Sequence, residues 1–173
     1  MKNIVLVGFM GTGKSSIGQA LAEALNRPLI DTDDVIEADN RVKIGEIFAQ
    51  YGEAHFRDLE TAAVRKVAAL KNHVIATGGG AVLRKENMKM LRQSGIVFCL
   101  TATPEEIWRR VKAETYRPLL QTPDPLGKIQ EMLRIRAPFY AEADYQISTT
   151  GRTIHEVAQA IQKVMLEKAD HSC

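Results

Sequence analysis

Gly8-Phe9-Met10-Gly11-Thr12-Gly13-Lys14-Ser15 decides how this chain folds. Gly8 and Gly13, followed by Lys14 and the hydroxyl residue Ser15, make a phosphate-loop pattern. Glycine lets successive N–H groups turn inward without a Cβ in the way, and a helix N-terminus adds the positive end of its dipole. Lys14 can then reach the β- and γ-phosphates of a nucleotide, and the Ser15 hydroxyl can ligate Mg²⁺. The flanks agree. Ile4-Val5-Leu6-Val7 is an unbroken apolar run, as in a strand buried on both faces. Ile17, Ala20, Leu21, Ala24 and Leu25 then repeat with helical spacing. A glycine-rich turn that binds nothing would explain the glycines, but not Lys14-Ser15 at the start of a helix.

With 173 residues, 45% apolar and 25% charged, the expectation is one compact kinase domain over residues 1–173. A net charge of +2 is too small to point to a nucleic-acid partner. Cys99 lies in an apolar run and Cys173 is the last residue, so no disulfide framework or metal-ligand pair is indicated. No leader is visible ahead of the loop and no apolar run approaches membrane-spanning length. The expected state is a cytoplasmic monomer with no membrane or nucleic-acid partner.

Leu29-Ile30 is a second short apolar run and leads into Asp31-Thr32-Asp33-Asp34. If the extended conformation continues through Thr32, the Asp31 and Asp33 carboxylates point the same way. They lie just past a strand, where open parallel sheets bind ligands. Asp34 fits turn or capping chemistry. Val74-Ile75-Ala76 runs into Thr77-Gly78-Gly79-Gly80 without any acid, so the carboxylate for a metal must come from elsewhere, and Asp31 is the best placed. The three glycines suit either close approach of the backbone to a ligand or a hinge. Between these strands, 35–70 reads as a polar helical insertion broken at Gly52. Arg57 and Glu60 stand one turn apart on it, either as a positioned guanidinium or as a surface ion pair.

Ile96 to Leu100 predicts a further strand. Thr103-Pro104-Glu105-Glu106 then opens a helix carrying Arg109 and Arg110. Residues 112–125 are long for a connection and show no apolar period, which predicts a mobile lid that includes Arg117. Residues 127–140 predict a helix broken near Pro138 and bearing Arg134 and Arg136, and 145–148 a fifth strand. Thr153 and Glu156 form a capping box for a last helix. Strand and helix alternate throughout, so the predicted fold is α/β. Three α/β/α layers enclose a five-stranded parallel sheet, as in phosphate-loop NTPases of the nucleoside-monophosphate-kinase-like type.

These motifs, in this order, resemble the shikimate kinase family over nearly the whole chain. They comprise 8–16, Asp31-Thr32-Asp33, Gly52-Glu53 with Phe56-Arg57 and Glu60, and Thr77 to Gly80, followed by Arg117-Pro118-Leu119-Leu120 and by Arg136 with Pro138 and Tyr140. The resemblance implies transfer of the ATP γ-phosphoryl group to the 3-hydroxyl of shikimate, with Mg²⁺ as cofactor. It also implies that Gly11, Thr12, Gly13, Lys14, Ser15 and Ser16 hold the nucleotide, with Arg110 and Arg152 near the adenine. Ser15 and Asp31 would hold the metal. Lys14 and Arg117 would neutralise the transferring charge, and Asp33 would accept the hydroxyl proton. Arg57 and Arg136 would clamp the shikimate carboxylate beside Gly78, Gly79 and Gly80. The implied substrate-binding insertion is 33–60 and the implied lid 112–125, where 111–116 departs from the family pattern. Its rivals are another small-molecule kinase on this fold, such as a gluconate kinase, a nucleotide-dependent switch, or a non-catalytic binding module of the same ancestry. Against the switch, the glycine run carries no aspartate.

Overall fold

The computed structural model describes residues 2–114 and 121–170. Five strands form a parallel sheet: β1 (Asn3–Gly8), β2 (Leu29–Asp31), β3 (Val74–Ala76), β4 (Gly95–Thr101) and β5 (Tyr145–Ser148). Their order across the sheet is β2-β3-β1-β4-β5. In register, Leu6 stands opposite Ala76 on one side and Phe98 on the other.

Strand alternation explains the layers. From β1 and β4, Ile4, Leu6, Ile96, Phe98 and Leu100 face a core with Ile17 and Leu21 of α1 (Lys14–Leu25) and Ile161 of α7 (Ile154–Asp170). The residues between them, Val5, Val7, Val97 and Cys99, face the other core. That second core packs against α2 (Thr32–Asn40), α3 (Ile44–Ala68), α4 (Lys85–Ser94), α5 (Pro104–Val111) and α6 (Pro125–Tyr140). Both faces of β1 and β4 are covered, which is why their sequences read as continuous apolar runs. The α/β reading with five parallel strands therefore stands.

Three local expectations need correction. First, α2 begins at Thr32, so the chain does not stay extended through it. Second, α6 starts at Pro125, two residues earlier than expected, with Asp124 accepting from the Gly127 N–H at 3.0 Å. Proline suits the first helical turn, so Pro125 belongs to this helix and not to the preceding connection. Third, Pro138 sits inside α6 without breaking it. It lies in the last turn, where one lost N–H costs the ladder little before the helix ends. Sequence reasoning also passed over α4, whose buried face carries only Asn87, Met88 and Leu91.

The expected break at Gly52 is present inside α3, at φ 79° and ψ 177°. That conformation is essentially restricted to glycine. A Cβ at Gly52 would meet nothing within 4 Å, so a substitution there tests backbone strain alone. Gly52→Ala is expected to destabilise the fold by roughly 1–3 kcal/mol, read as a lowered denaturant midpoint with unchanged slope. An unchanged midpoint would show that the kink is not held at this residue.

Candidate active site

The loop after β1 turns on glycines for a steric reason. A Cβ on Gly8 would strike the Leu100 carbonyl oxygen, and Gly13 caps α1 at φ 96°. Thr12 is buried and its hydroxyl donates to the Phe9 carbonyl at 2.7 Å, which braces the turn. Lys14 Nζ donates to the Gly8 and Phe9 carbonyls at 2.7 and 2.9 Å, lying back along the loop that would cradle phosphate. No side chain caps α1. The first-turn N–H groups of Lys14, Ser15 and Ser16 have no partner within the helix, which makes its N-terminus an anion site.

A cavity of about 260 Å³ opens in front of this loop, lined among others by Lys14, Ser15, Asp31, Asp33, Gly78 and Gly79. Asp31 and Asp33 do meet there, but by another route than expected. Asp31, and not Asp34, is the cap of α2, its Oδ1 accepting from the Asp33 N–H at 2.8 Å. This turn carries Asp33 onto the first turn of the helix and into the same cavity. Thr32, fully buried between them, accepts from the Gly78 N–H at 3.1 Å and ties the glycine run to α2. Sequence reasoning assigned Thr32 no role, since nothing local shows a contact 46 residues away. Glu114, at the edge of the cavity, was likewise not singled out.

Charge in this cavity is crowded. Burial first, then the nearby charges of Asp31 and Glu60, push the Asp33 carboxyl from 3.8 up to about 7, against a smaller pull from Lys14. Burial also raises Asp31 and Glu60 above the ordinary carboxylate range. Carboxylates and a serine hydroxyl are hard oxygen donors, the set that Mg²⁺ prefers, and their crowding favours a cation beside them. The residues present therefore fit that metal.

The pair Arg57–Glu60 closes at 2.7 Å and is no surface ion pair, because Glu60 is 1% exposed. Glu53 adds a second contact to Arg57 at 3.1 Å. Arg136, only 8% exposed on α6, lies with its guanidinium carbon 5.6 Å from the Phe9 ring centre. Among the described residues no carboxylate pairs with it. The glycine run threads between these charges. A Cβ at Gly78 would stand 2.8 Å from Asp33 Oδ1 and 3.0 Å from Glu60 Oε1, and one at Gly80 would collide with the Arg57 guanidinium. Tyr140 donates to the Gly79 carbonyl at 2.9 Å, and burial pushes its phenol up to about 12. Three buried polar atoms here have no partner among the described residues: Asp33 Oδ1, Arg57 Nε and Glu60 Oε1. Such atoms cost about 1–3 kcal/mol each when left unsatisfied, so their concentration marks a place where a polar ligand belongs.

A second groove of about 620 Å³ runs on from the loop, sharing Gly13 and Ser16 with the first cavity. It brings Arg110 and Arg152 together as expected. Arg110 bonds Glu106 at 2.8 Å, the Gly11 carbonyl at 3.1 Å and Thr149 Oγ1 at 3.0 Å. Arg152 donates to the carbonyls of Ser148 and Glu156. Glu106, read in the sequence only as a helix-start residue, is the anchor for Arg110. Hydrogen bonds from Arg109, then Arg110, hold its carboxyl down at about 2. Arg117 lies outside the described residues, as do all of 115–120 within the expected lid.

A phosphate loop at the carboxyl end of a parallel sheet, facing a polar acceptor pocket, defines a phosphate-loop small-molecule kinase. The model of the family described as "Shikimate kinase" matches residues 10–166. The shikimate kinase of Thermodesulfovibrio yellowstonii is 49% identical over 163 residues, 94% of each chain. That of Caldanaerobacter subterraneus subsp. tengcongensis is 47% identical over 167 residues, 96% of this chain and 98% of the other. Among solved structures, shikimate kinase from Acinetobacter baumannii in complex with shikimate matches with a TM-score of 0.92 at 38% identity, covering 97% of this chain and 94% of that one. A gluconokinase from Sinorhizobium meliloti shares the fold alone, with a TM-score of 0.61 at 16% identity. The chain belongs to the shikimate kinase family.

The Asp33 shift has a definite sign. A carboxyl raised to about 7 keeps its proton in the folded protein over a range where the unfolded chain has lost it. Its contribution to stability is therefore present below about pH 4 and is lost as pH rises towards 7. A ¹³C carboxyl titration of the ligand-free protein is expected to show Asp33 titrating near 7, and lower in Asp31→Asn, which keeps the cap but removes one charge. A value near 4 in the wild type, or no response to Asp31→Asn, would contradict the crowding described.

Proposed function

We infer that this protein is an ATP-dependent kinase that transfers the γ-phosphoryl group to the 3-hydroxyl of shikimate, yielding shikimate 3-phosphate and ADP. One observation carries the acceptor side. Two arginines, one of them without a carboxylate partner among the described residues, and the raised Asp33 carboxyl line one glycine run, and Asp33 Oδ1, Arg57 Nε and Glu60 Oε1 along it have no partner there. A compact hydroxylated carboxylate completes that arrangement, its planar carboxylate matched by the guanidinium groups of Arg57 and Arg136. Family membership supports the same substrate.

Each residue then has a role. The N–H groups of Gly11, Thr12, Gly13, Lys14, Ser15 and Ser16 receive the phosphates, and Arg110 and Arg152 border the adenine. Ser15 and Asp31 would hold Mg²⁺, which when bound neutralises phosphate charge. Asp33 orients the attacking hydroxyl and accepts its proton as the oxygen bonds to phosphorus and ADP leaves. A base whose pKa is raised towards the working pH suits that task. Lys14 exchanges its loop carbonyls for phosphate oxygens and, with Arg117, offsets charge developing on the transferred group. Gly78, Gly79 and Gly80 bring backbone against the ring, with 33–60 forming the acceptor side. A monomer working in the cytoplasm, with no nucleic-acid or membrane partner, completes the reading. No helix among the described residues is long and apolar enough to cross a membrane.

The test is coupled ADP release over shikimate, gluconate and nucleoside monophosphates with MgATP. Shikimate alone is expected to stimulate release strongly, and no stimulation above buffer would sink the assignment. Lys14→Met, which keeps the stem and removes the charge, is expected to lower kcat by about 10²–10³-fold with a near-wild-type melt, the range for losing one preorganised charge donor. Near-normal kcat would remove Lys14 from the mechanism.

A further inference from the structure

At the end of the sheet opposite the phosphate loop, where β1, β4 and β5 begin, lies another cavity, of about 590 Å³. Five cations line it: Lys2, Lys85, Lys89, Arg92 and Lys168. Among the described residues of this lining, Glu142 and Asp144 are the acids. Asp144 is already committed, one oxygen accepting from the Val97 N–H at 2.9 Å and the other facing Arg92 at 3.3 Å. Lys2, Lys85 and Lys89 make no ion pair or side-chain hydrogen bond among the described residues. The whole chain carries a net charge of only +2, so this positive excess is a local arrangement and not bulk composition.

The arrangement opposes helix stability. Lys85, Lys89 and Arg92 follow one another at i, i+4 and i+7 along α4, and like charges at that spacing repel. Nothing on α4 needs three cations in a row for packing, since its buried face is Asn87, Met88 and Leu91. The same lining has an apolar part: Met88, Ile96 and the Tyr145 ring. That ring stacks on Phe98 with centroids 5.4 Å apart, and Lys168 Nζ stands 6.0 Å from its centre. The volume lies in the range of about 300–1,000 Å³ usual for small-molecule pockets.

We propose that this cavity binds a small cyclic polyanion, an organic ring bearing two or more carboxylate or phosphate groups, at a site separate from the one that phosphorylates shikimate. The ring lies over Tyr145 and Ile96, and the anionic groups meet Lys2, Lys85 and Lys89. A monoanion leaves most of the charge unbalanced, and a polyanion without a ring leaves the apolar part of the lining bare.

The experiment uses the full ¹⁵N-labelled chain, saturated with ADP so that the phosphate loop is filled, at constant ionic strength. It is titrated separately with 4-carboxyphenyl phosphate, benzoate and inorganic pyrophosphate. The first is expected to give saturable amide shifts confined to residues 85–96 and Tyr145, with the other two binding more weakly. Lys85→Gln/Lys89→Gln, on exposed positions and with core resonances unmoved, is expected to weaken binding about tenfold or more, the loss of one or two charge-assisted contacts. Absence of saturable shifts at this face, or equal affinity in the double variant, would overturn the site. Pyrophosphate binding as tightly as the ring compound would overturn the claim on its chemistry. Because the readout is binding far from the phosphate loop, its failure leaves the kinase reading standing, and the reverse also holds.

Discussion

The half of this protein proposed to take the acceptor depends on one buried ion pair, Arg57 with Glu60. Their spacing of one helical turn places both on the same face of α3, and the fold then removes Glu60 from water. A buried pair is no gift to stability, but losing one member leaves an uncompensated buried charge at a cost of about 3–5 kcal/mol. The pair leaves no volume beside it, so the backbone that passes must be glycine. Gly78 runs against Glu60 and Asp33, and Gly80 against Arg57. Thr32 and Tyr140 then fasten Gly78 and Gly79 from opposite sides. The glycines here serve close approach of the backbone to these side chains.

The nucleotide half obeys a different constraint, set by helix ends and carbonyls. Gly13 opens α1 without a capping side chain, and Arg110 is drawn onto the loop by the Gly11 carbonyl while Glu106 and Thr149 hold its other edges. One loop therefore supplies the phosphate site and the floor of the adjoining groove. The two halves meet at Asp33, where burial and neighbouring acids hold a proton that Lys14 acts to release. A carboxyl shifted by burial together with specific neighbouring charges, inside a cavity, is the pattern found at functional sites.

The phosphate loop, the two central strands and the layer order were legible because each is a local signal: fixed spacing, an unbroken apolar run, a regular alternation. Asp31 was legible as a residue near the phosphate loop, where it does line the cavity, but not as a cap, because a helix starting at Thr32 shows no apolar face until Val35 and Ile36. The helix α4 was invisible for a similar reason: its three cations equal its three buried residues in number, and one of those, Asn87, is polar, so no apolar face stands out. The choice between hinge and close approach at Gly78 to Gly80 could not be made from glycines alone. It turned on Arg57, Glu60 and Asp33, which lie between 18 and 47 residues away and reach the turn only through the fold. Likewise Arg57 and Glu60 read as a possible surface pair, since helical spacing gives contact but not depth.

The central claim is that Arg136, buried and without a carboxylate partner among the described residues, is held ready for the carboxylate of the acceptor. Calorimetric binding of shikimate to Arg136→Ala tests it most directly, with a thermal melt to confirm that α6 is intact. The account predicts a loss of affinity of about tenfold to a hundredfold, as for one charge-assisted contact, with nucleotide affinity unchanged. Wild-type affinity for shikimate in that variant would contradict it.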